Sequence, residues 1–207
     1  MTSRSPTMII CRGSTAAGLL ALLLSCSSVA PPRFHTLLPA PATSTSQSAP
    51  AGTVPWEVMP VSIPAQVDQP QWVVRTVEGS LAVLEQERWI APLAEEIRAA
   101  VADRLTQTLG ATAAEIDPTK VWRVRIDVQR FDSNPGRDVR LEATWSVGSS
   151  AEAAKALRCR GEFVQPVSAA GYPSLATGHQ RNVARLADSV SQSLKALSAG
   201  RAASCAS

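Results

Sequence analysis

The chain has 207 residues, 45% of them hydrophobic, and a formal net charge of +3 at pH 7. This length suits one domain with an additional segment, and the hydrophobic fraction is high enough for a buried core. Basic residues do not cluster with aromatic residues, so the composition gives no support for a nucleic-acid interface, and we expect no nucleic-acid partner.

The first 25 residues have the composition of an export signal. Arg4 and Arg12 precede a run of small and apolar residues over 16–24, and no acidic residue occurs before position 26. This run is too short for a membrane-spanning helix, which needs about 20 residues. A basic start, a short apolar core and small residues at its end are typical of a secretory signal peptide, which we predict over residues 1–25.

The signal ends in Leu23-Leu24-Ser25-Cys26, which resembles the lipobox recognised by lipoprotein signal peptidase. In that motif the cysteine sulfur receives a diacylglycerol thioether, although Leu24 is bulkier than the usual residue at its position. The alternative is an ordinary signal peptide in which Cys26 is incidental. We predict cleavage before Cys26 and lipidation of this residue. Loss of the two signal arginines lowers the net charge from +3 to +1.

Residues 26–55 are rich in Ser, Thr, Ala and Pro and can bury little apolar surface. We predict the lipidated cysteine followed by an extended linker, in which Phe34–Leu38 can pair as an edge strand between flanking prolines. At about 3.1 Å per residue, an extended chain from Ser27 to Pro55 would span roughly 90 Å, and pairing of the segment near Phe34 with the sheet would make its reach shorter.

The folded domain is predicted over residues 56–199, with a C-terminal tail over 200–207. A strand-like segment, 57–63, is interrupted by Pro60, and a hairpin joins 71–77 to 81–84. A helix is expected from Pro92 to Gly110, since apolar residues recur every four positions, at Leu93, Ile97, Val101, Leu105 and Leu109. Its first-turn acids, Glu95 and Glu96, are expected to face solvent.

Three alternating strands follow, over 122–129, 139–147 and 157–163, and each has one apolar and one polar face. Residues 132–138 are expected to be a turn-rich loop, and a final helix is expected over 175–199. The predicted class is α+β, a mostly antiparallel or mixed sheet with two helices packed on one face.

Two cysteines remain after Cys26, namely Cys159 and Cys205. The exported compartment permits disulfides, and a Cys159–Cys205 bond would hold the C-terminal tail on the domain. The alternative is a buried free Cys159 with a mobile Cys205, since spacing alone does not fix the pairing.

Catalytic motifs are missing from the sequence. Neither His35 nor His179 has a cysteine or carboxylate at metal-ligand spacing. No serine lies in a Gly-x-Ser-x-Gly motif, and no phosphate-binding glycine loop occurs. We therefore predict no enzymatic activity, no cofactor and no metal.

Two sets of residues are candidates for a protein interface. Arginines on the polar strand faces could form a basic patch, against the alternative of a solvated face balanced by Asp127, Glu142 and Glu162. Trp72 and Trp89 are candidates because tryptophan is enriched at binding hot spots, although core packing is the expected alternative for both. The arginine patch comprises Arg123, Arg125, Arg140, Arg158 and Arg160.

Three segments of the first half carry a family resemblance. They are Val61-Ser62-Ile63-Pro64, Val67-Asp68-Gln69-Pro70-Gln71-Trp72-Val73-Val74-Arg75 and Glu87-Arg88-Trp89-Ile90-Ala91-Pro92-Leu93. They resemble the ABC-type transport auxiliary lipoprotein family, which shows a Leu-Asp-Arg-Pro-Gln stretch and Trp-Ala-Glu-Pro-Leu at a helix start. Val67, Gln69 and Ile90-Ala91 depart from that pattern, and the similarity covers about residues 34–198.

The resemblance implies a periplasm-facing auxiliary subunit of an intermembrane lipid transport system. Its partner would be an MCE-domain protein in the inner membrane, and its lipid anchor would lie in the outer membrane. Ser27 is compatible with that location, because Asp at this position is the inner-membrane retention signal of enteric bacteria. The resemblance implies that the protein acts by docking to its partner, and a homo-oligomer is possible. The alternative is an envelope-assembly scaffold lipoprotein unrelated to lipid transport; the missing nucleophile argues against a third possibility, a secreted hydrolase.

Overall fold

The computed structural model describes residues 30–40, 54–110, 121–149 and 156–205. The chain divides into two compact units, residues 1–31 and 32–207, and the fold described below is that of the second unit. The predicted signal peptide, Cys26, residues 27–29 and 41–53 of the predicted linker, and residues 206–207 of the predicted tail lie outside the described residues.

The second unit is an α+β fold with two mixed sheets, which confirms the predicted class. A three-stranded sheet has the order β1-β4-β3, and a four-stranded sheet has the order β2-β5-β6-β7. The elements are β1 (Arg33–His35), β2 (Trp56–Val58), β3 (Gln71–Arg75), β4 (Leu81–Trp89), α1 (Leu93–Leu109), β5 (Trp122–Asn134), β6 (Asp138–Ser149), β7 (Leu157–Pro166) and α2 (Tyr172–Ser198).

The four-stranded sheet follows the predicted alternation, with its apolar face buried against the core. Pro60 ends the parallel pairing of β2 with β5, which resumes as a single bridge between Ser62 and Asp127. The loop predicted over 132–138 is shorter than expected, because β5 and β6 continue to Asn134 and Asp138. Gly136, at a φ of 72°, provides the left-handed residue that such a tight hairpin turn needs.

The two helices pack against one another and share one core with both sheets. Helix α1 begins after Pro92 and ends at Gly110 as predicted, and its five periodic apolar residues are all buried. Helix α2 begins three residues earlier than predicted and lies close to β6. A Cβ atom on Gly178 would lie 2.7 Å from a methyl carbon of Val139, so only glycine permits this approach. Asn182 then donates a hydrogen bond to the Val139 carbonyl.

Strand β1 belongs to the folded unit, although its composition matches that of the linker. It pairs in parallel with the C-terminal end of β4, with Arg33 opposite Glu87 and His35 opposite Trp89. This pairing confirms the edge strand predicted near Phe34. The first segment of the predicted linker is therefore part of the three-stranded sheet.

Three side chains, which we call the N-terminal clamp, hold the segment 33–38. Glu87, which is buried, accepts hydrogen bonds from Arg33 and from His35, the latter at 2.6 Å. Glu96 accepts from the Thr36 hydroxyl and the Leu37 amide, both at 2.7 Å. Gln180, from α2, donates to the carbonyl oxygens of Thr36 and Leu38.

The clamp corrects one expectation. Glu95 faces solvent as predicted, but Glu96 is only 4% exposed because it binds the backbone of the clamped segment. The clamp also fixes residues 33–38 to the domain, so residues 27–55 do not act as one extended chain of roughly 90 Å, as the predicted pairing near Phe34 implies.

A disulfide joins Cys159, in β7, to Cys205, in the C-terminal tail, with the Cα atoms 5.4 Å apart. Cys159 is buried on the inner face of the sheet, so the bond fixes the tail directly to the core. The cross-link closes a loop that contains the whole of α2.

We predict that Glu96→Ala lowers the free energy of unfolding by about 1–3 kcal/mol, since it leaves the buried Leu37 amide without an acceptor. The matched control is Glu95→Ala, which removes a pair with Arg98 on the exposed surface and should cost about 0.5 kcal/mol or less. Urea unfolding measures both values. Equal losses for the two variants would show that the Glu96 contact does not stabilise the fold.

We predict that reducing the Cys159–Cys205 bond lowers the free energy of unfolding by about 4 kcal/mol, the chain-entropy value for a sequence separation of 46 residues. Urea unfolding with and without a reducing agent measures this loss. Cys205→Ala is the control and should be as unstable as the reduced wild type and insensitive to reductant. An unchanged free energy of unfolding of the wild type in the presence of the reducing agent would contradict the prediction.

Candidate docking site

A shallow groove of about 420 Å³ lies at the open end of the β3–β4 hairpin, where β3 begins and β4 ends. One wall consists of Asp68, Gln69 and Pro70, which precede β3. The other wall consists of residues 88–92, which lead from β4 into α1, and Phe34 contributes from β1. These residues define what we call the Phe34 groove.

Backbone hydrogen bonds join the three segments of the groove. The Trp89 amide donates to the Pro70 carbonyl at 3.1 Å, and the Ile90 amide donates to the His35 carbonyl at 2.9 Å. Pro92 then sets the start of α1. The position of Phe34 follows from the pairing of β1 with β4, and therefore from the N-terminal clamp.

The groove exposes two large hydrophobic side chains, Phe34 at 55% and Ile90 at 60%. Arg88 and Asp68 supply polar groups at its edge. Neighbouring exposed hydrophobic residues with a polar rim are typical of a surface that binds another protein.

Trp72 and Trp89 lie beneath the groove in an aromatic cluster, with their ring centroids 4.4 Å apart. His35 contacts the Trp72 ring edge-on at 4.8 Å, so the aromatic packing also holds β1. Both tryptophans are buried. Core packing, the expected alternative, is therefore the correct assignment for both, and Trp89 also forms part of the groove wall.

Ser133 and His179 form a pair that the sequence analysis missed, because they lie on different elements and match no motif. The Ser133 hydroxyl is 2.8 Å from Nε2 of His179, and the indole N–H of Trp72 donates to the same oxygen. Phe131 stacks on the His179 ring at 3.9 Å, and burial lowers the pKa of His179 to about 3. Since both side chains are enclosed in the core, a substrate does not reach this serine, and the pair is structural.

The five arginines of the predicted patch share the outer face of the four-stranded sheet. Three are in ion pairs: Arg123 with Glu57 at 3.7 Å, Arg140 with Glu162 at 2.7 Å, and Arg160 with Glu142. The Arg160 guanidinium holds the pKa of the Glu142 carboxyl below its usual value.

The remaining two arginines lie on either side of Ser146, a residue of β6. Arg125 is opposite Ser146 on β5, and Arg158 is opposite it on β7. They line a shallow pocket of about 250 Å³ together with Asp127 and Thr144. Neither forms an ion pair with any residue that the structure describes. The positive part of the patch is therefore concentrated at these two side chains.

The described ranges contain no cluster of His, Cys, Asp and Glu side chains that could hold a metal ion. Within the same ranges, no helix combines the length and the apolar character needed to cross a bilayer.

Comparison with known proteins gives a family and a fold. The sequence profile of the ABC-type transport auxiliary lipoprotein component family matches residues 35–191. No curated protein matches the chain. A solved structure of an uncharacterised protein has a TM-score of 0.60 at 14% identity, covering 69% of this chain and 93% of its own. A Xanthomonas campestris protein has a TM-score of 0.58 at 19% identity, covering 79% and 94%.

At these identities, the two solved structures support the fold alone. The family profile is more informative, because it runs from the end of β1 into α2 and includes the groove residues from Asp68 to Pro92. The chain belongs to the ABC-type transport auxiliary lipoprotein family.

Proposed function

We propose that this chain is the docking subunit of an MCE-type intermembrane lipid transport system, anchored through Cys26 to the periplasmic face of the outer membrane. The match of the family profile over residues 35–191 carries this proposal. The lipobox-like Leu23-Leu24-Ser25-Cys26 supports the anchor. The partner would be an MCE-domain protein that rises from the inner membrane.

The Phe34 groove is the surface that fits docking best. The residues that carry the family resemblance form its walls, so the signature coincides with an exposed surface as well as with the core. Phe34 and Ile90 provide apolar contact area, and the fixed backbone around them means that little order must be gained on binding. A partner segment with apolar side chains flanked by polar groups would match it.

The arginine patch is the second proposed docking surface, and Arg125 and Arg158 are the residues of the patch that would bind the partner. Arg125 and Arg158 form no ion pair with the described residues, and only Asp127 among the described lining residues of their pocket is acidic. This excess of positive charge favours an acidic segment of the partner. Binding by protein contact, without catalysis, is consistent with the enclosed position of the Ser133–His179 pair.

We predict that Cys26→Ser releases the protein from the membrane fraction. A triacylated cysteine is a stable anchor, and the proposed function includes no other membrane anchor. Cell fractionation and the mass of the processed protein measure the effect. A variant that stays as firmly bound as the wild type, with the same processed mass, would contradict lipidation at Cys26.

We predict that a photo-crosslinking amino acid at Ile90 captures an MCE-domain protein in living cells, because this side chain lies in the proposed contact. The same probe at Lys195, which is exposed on α2, is the control and should capture little. A probe at Arg158 tests the second surface.

Capture of an MCE-domain protein at Ile90 or Arg158, but not at Lys195, would support the docking proposal and identify the surface. Capture of outer-membrane assembly factors alone would favour the envelope-assembly scaffold instead. Turnover of an envelope substrate by the purified protein, without any captured partner, would overturn docking altogether.

A further inference from the structure

We propose that two copies of this chain pair through the outer edge of β7, antiparallel and about a two-fold axis between their Gly161 residues. Each Arg160 then lies opposite Glu162 of the second copy, and the two four-stranded sheets join into one continuous sheet. This inference goes beyond the proposed function, because it depends neither on lipid transport nor on lipidation of Cys26.

Strand β7 is an outer strand of the four-stranded sheet, which has the order β2-β5-β6-β7. Its ten residues pair with β6 on one side, and no strand of the described ranges pairs with the other side. At the opposite end of the sheet, β2 has only three residues. The longer edge of the sheet is therefore that of β7, and the backbone groups of such an edge can pair with another strand.

The backbone pattern shows which residues face this edge. The Val167 amide donates to the Arg137 carbonyl, and the register of β7 on β6 continues from there without a shift. Val167 and every second residue before it therefore bond to β6. The residues between them direct their N–H and C=O groups outward; they are Arg158, Arg160, Glu162 and Val164. Pro166, which has no N–H to donate, occupies the next position of this outward series, as is typical of an edge.

The charges of this edge are self-complementary. Charged side chains on an outer strand usually discourage pairing with another chain. Here, however, antiparallel pairing about Gly161 places Arg160 opposite Glu162 of the second copy, and does so twice. Opposite charges that face each other across strands are stabilising, and like charges are destabilising. A shift by two residues in either direction would bring two Arg160 or two Glu162 side chains together on the axis, so the charges select one register.

The pairing also compensates a like-charge contact inside each chain. Glu142 and Glu162 lie directly opposite each other on β6 and β7. Arg160 pairs with Glu142, and Arg140 pairs with Glu162 at 2.7 Å. The side chains of Arg160 and Glu162 are still 67% and 48% exposed, so each can contact a further charge. In the dimer, Glu162 gains the Arg160 guanidinium of the second copy, and the ion pairs of the two chains become one network.

The interface is short, because both ends of the edge are partly covered. The Cys205 sulfur lies 3.4 Å from the Arg158 carbonyl oxygen, and Arg185 donates to the Val164 carbonyl at 3.4 Å. Pairing is therefore centred on Arg160 and Glu162, which form about four backbone hydrogen bonds with their counterparts, two for each opposed pair. A contact of this size is typical of a weak, reversible dimer.

The test exchanges the two charges and counts the chains in each particle by native mass spectrometry of the full-length protein in detergent, at several concentrations. Arg160→Glu brings acids together at both ends of the pairing, and Glu162→Arg brings bases together. In a mixture of the two variants, each introduced charge lies opposite a charge of the other sign. Glu142→Gln is the matched control, because it removes the ion pair of Arg160 within the chain and leaves the edge unchanged. Circular dichroism confirms that each variant is folded.

We predict that the wild type forms a dimer whose fraction rises with concentration, and that Glu142→Gln does the same. Each charge-reversal variant alone should associate at least about tenfold more weakly, because like charges meet twice. Mixing the two variants should restore a dimer with the mass of one copy of each. If a reversal variant does not fold, Arg160→Gln replaces it and should also weaken the dimer.

Several results would overturn the pairing. They are a wild type that is monomeric at every concentration, single variants that dimerise as the wild type does, and folded variants that form no mixed dimer. Loss of the dimer in Glu142→Gln would show that the contact lies elsewhere, and a larger assembly would exclude the two-fold arrangement. A photo-crosslinking amino acid at Val164 that captures a different protein in cells, and no second copy, would assign the edge to that protein instead.

Discussion

Two buried carboxylates determine how the N-terminal segment 33–38 is joined to this domain. Glu87 and Glu96 satisfy the donors of residues 33–37, including a backbone amide inside the core. Each carboxylate is too costly to bury without such partners, so the segment and the two acids stabilise each other. The position of Phe34 and the shape of the groove depend on these contacts.

The regular elements could be predicted because their signals are local. The four-residue spacing in α1 and the alternation in β5, β6 and β7 follow from geometry within each element. The clamp could not be predicted in this way. Glu96 beside Glu95 at a helix start is typical of solvated acids that the helix dipole stabilises. The burial of Glu96 depends on its bond to the Leu37 amide, 59 residues away in the sequence.

In the candidate site, too, local features could be predicted from the sequence, and contacts between distant segments could not. The resemblance identified the segments around Asp68 and Trp89, but only the fold shows that their flanking residues enclose a groove while both tryptophans are in the core. The arginine-bearing face could be predicted from the alternation of polar and apolar residues. The neutralisation of its charge could not, because Arg140 and Arg160 pair with glutamates on neighbouring strands. The Ser133–His179 pair left no signal, since its partners meet only through the packing of α2 on β5.

The central claim is that residues 33–38 are a fixed part of the domain, and amide hydrogen exchange of Leu37 in the intact protein tests it most directly. Its amide is bonded to a buried carboxylate, so we predict protection comparable to that of the core amides of α1. Exchange of Leu37 at the rate of an unstructured chain, while the α1 amides remain protected, would show that the segment is a free tether and would contradict the account.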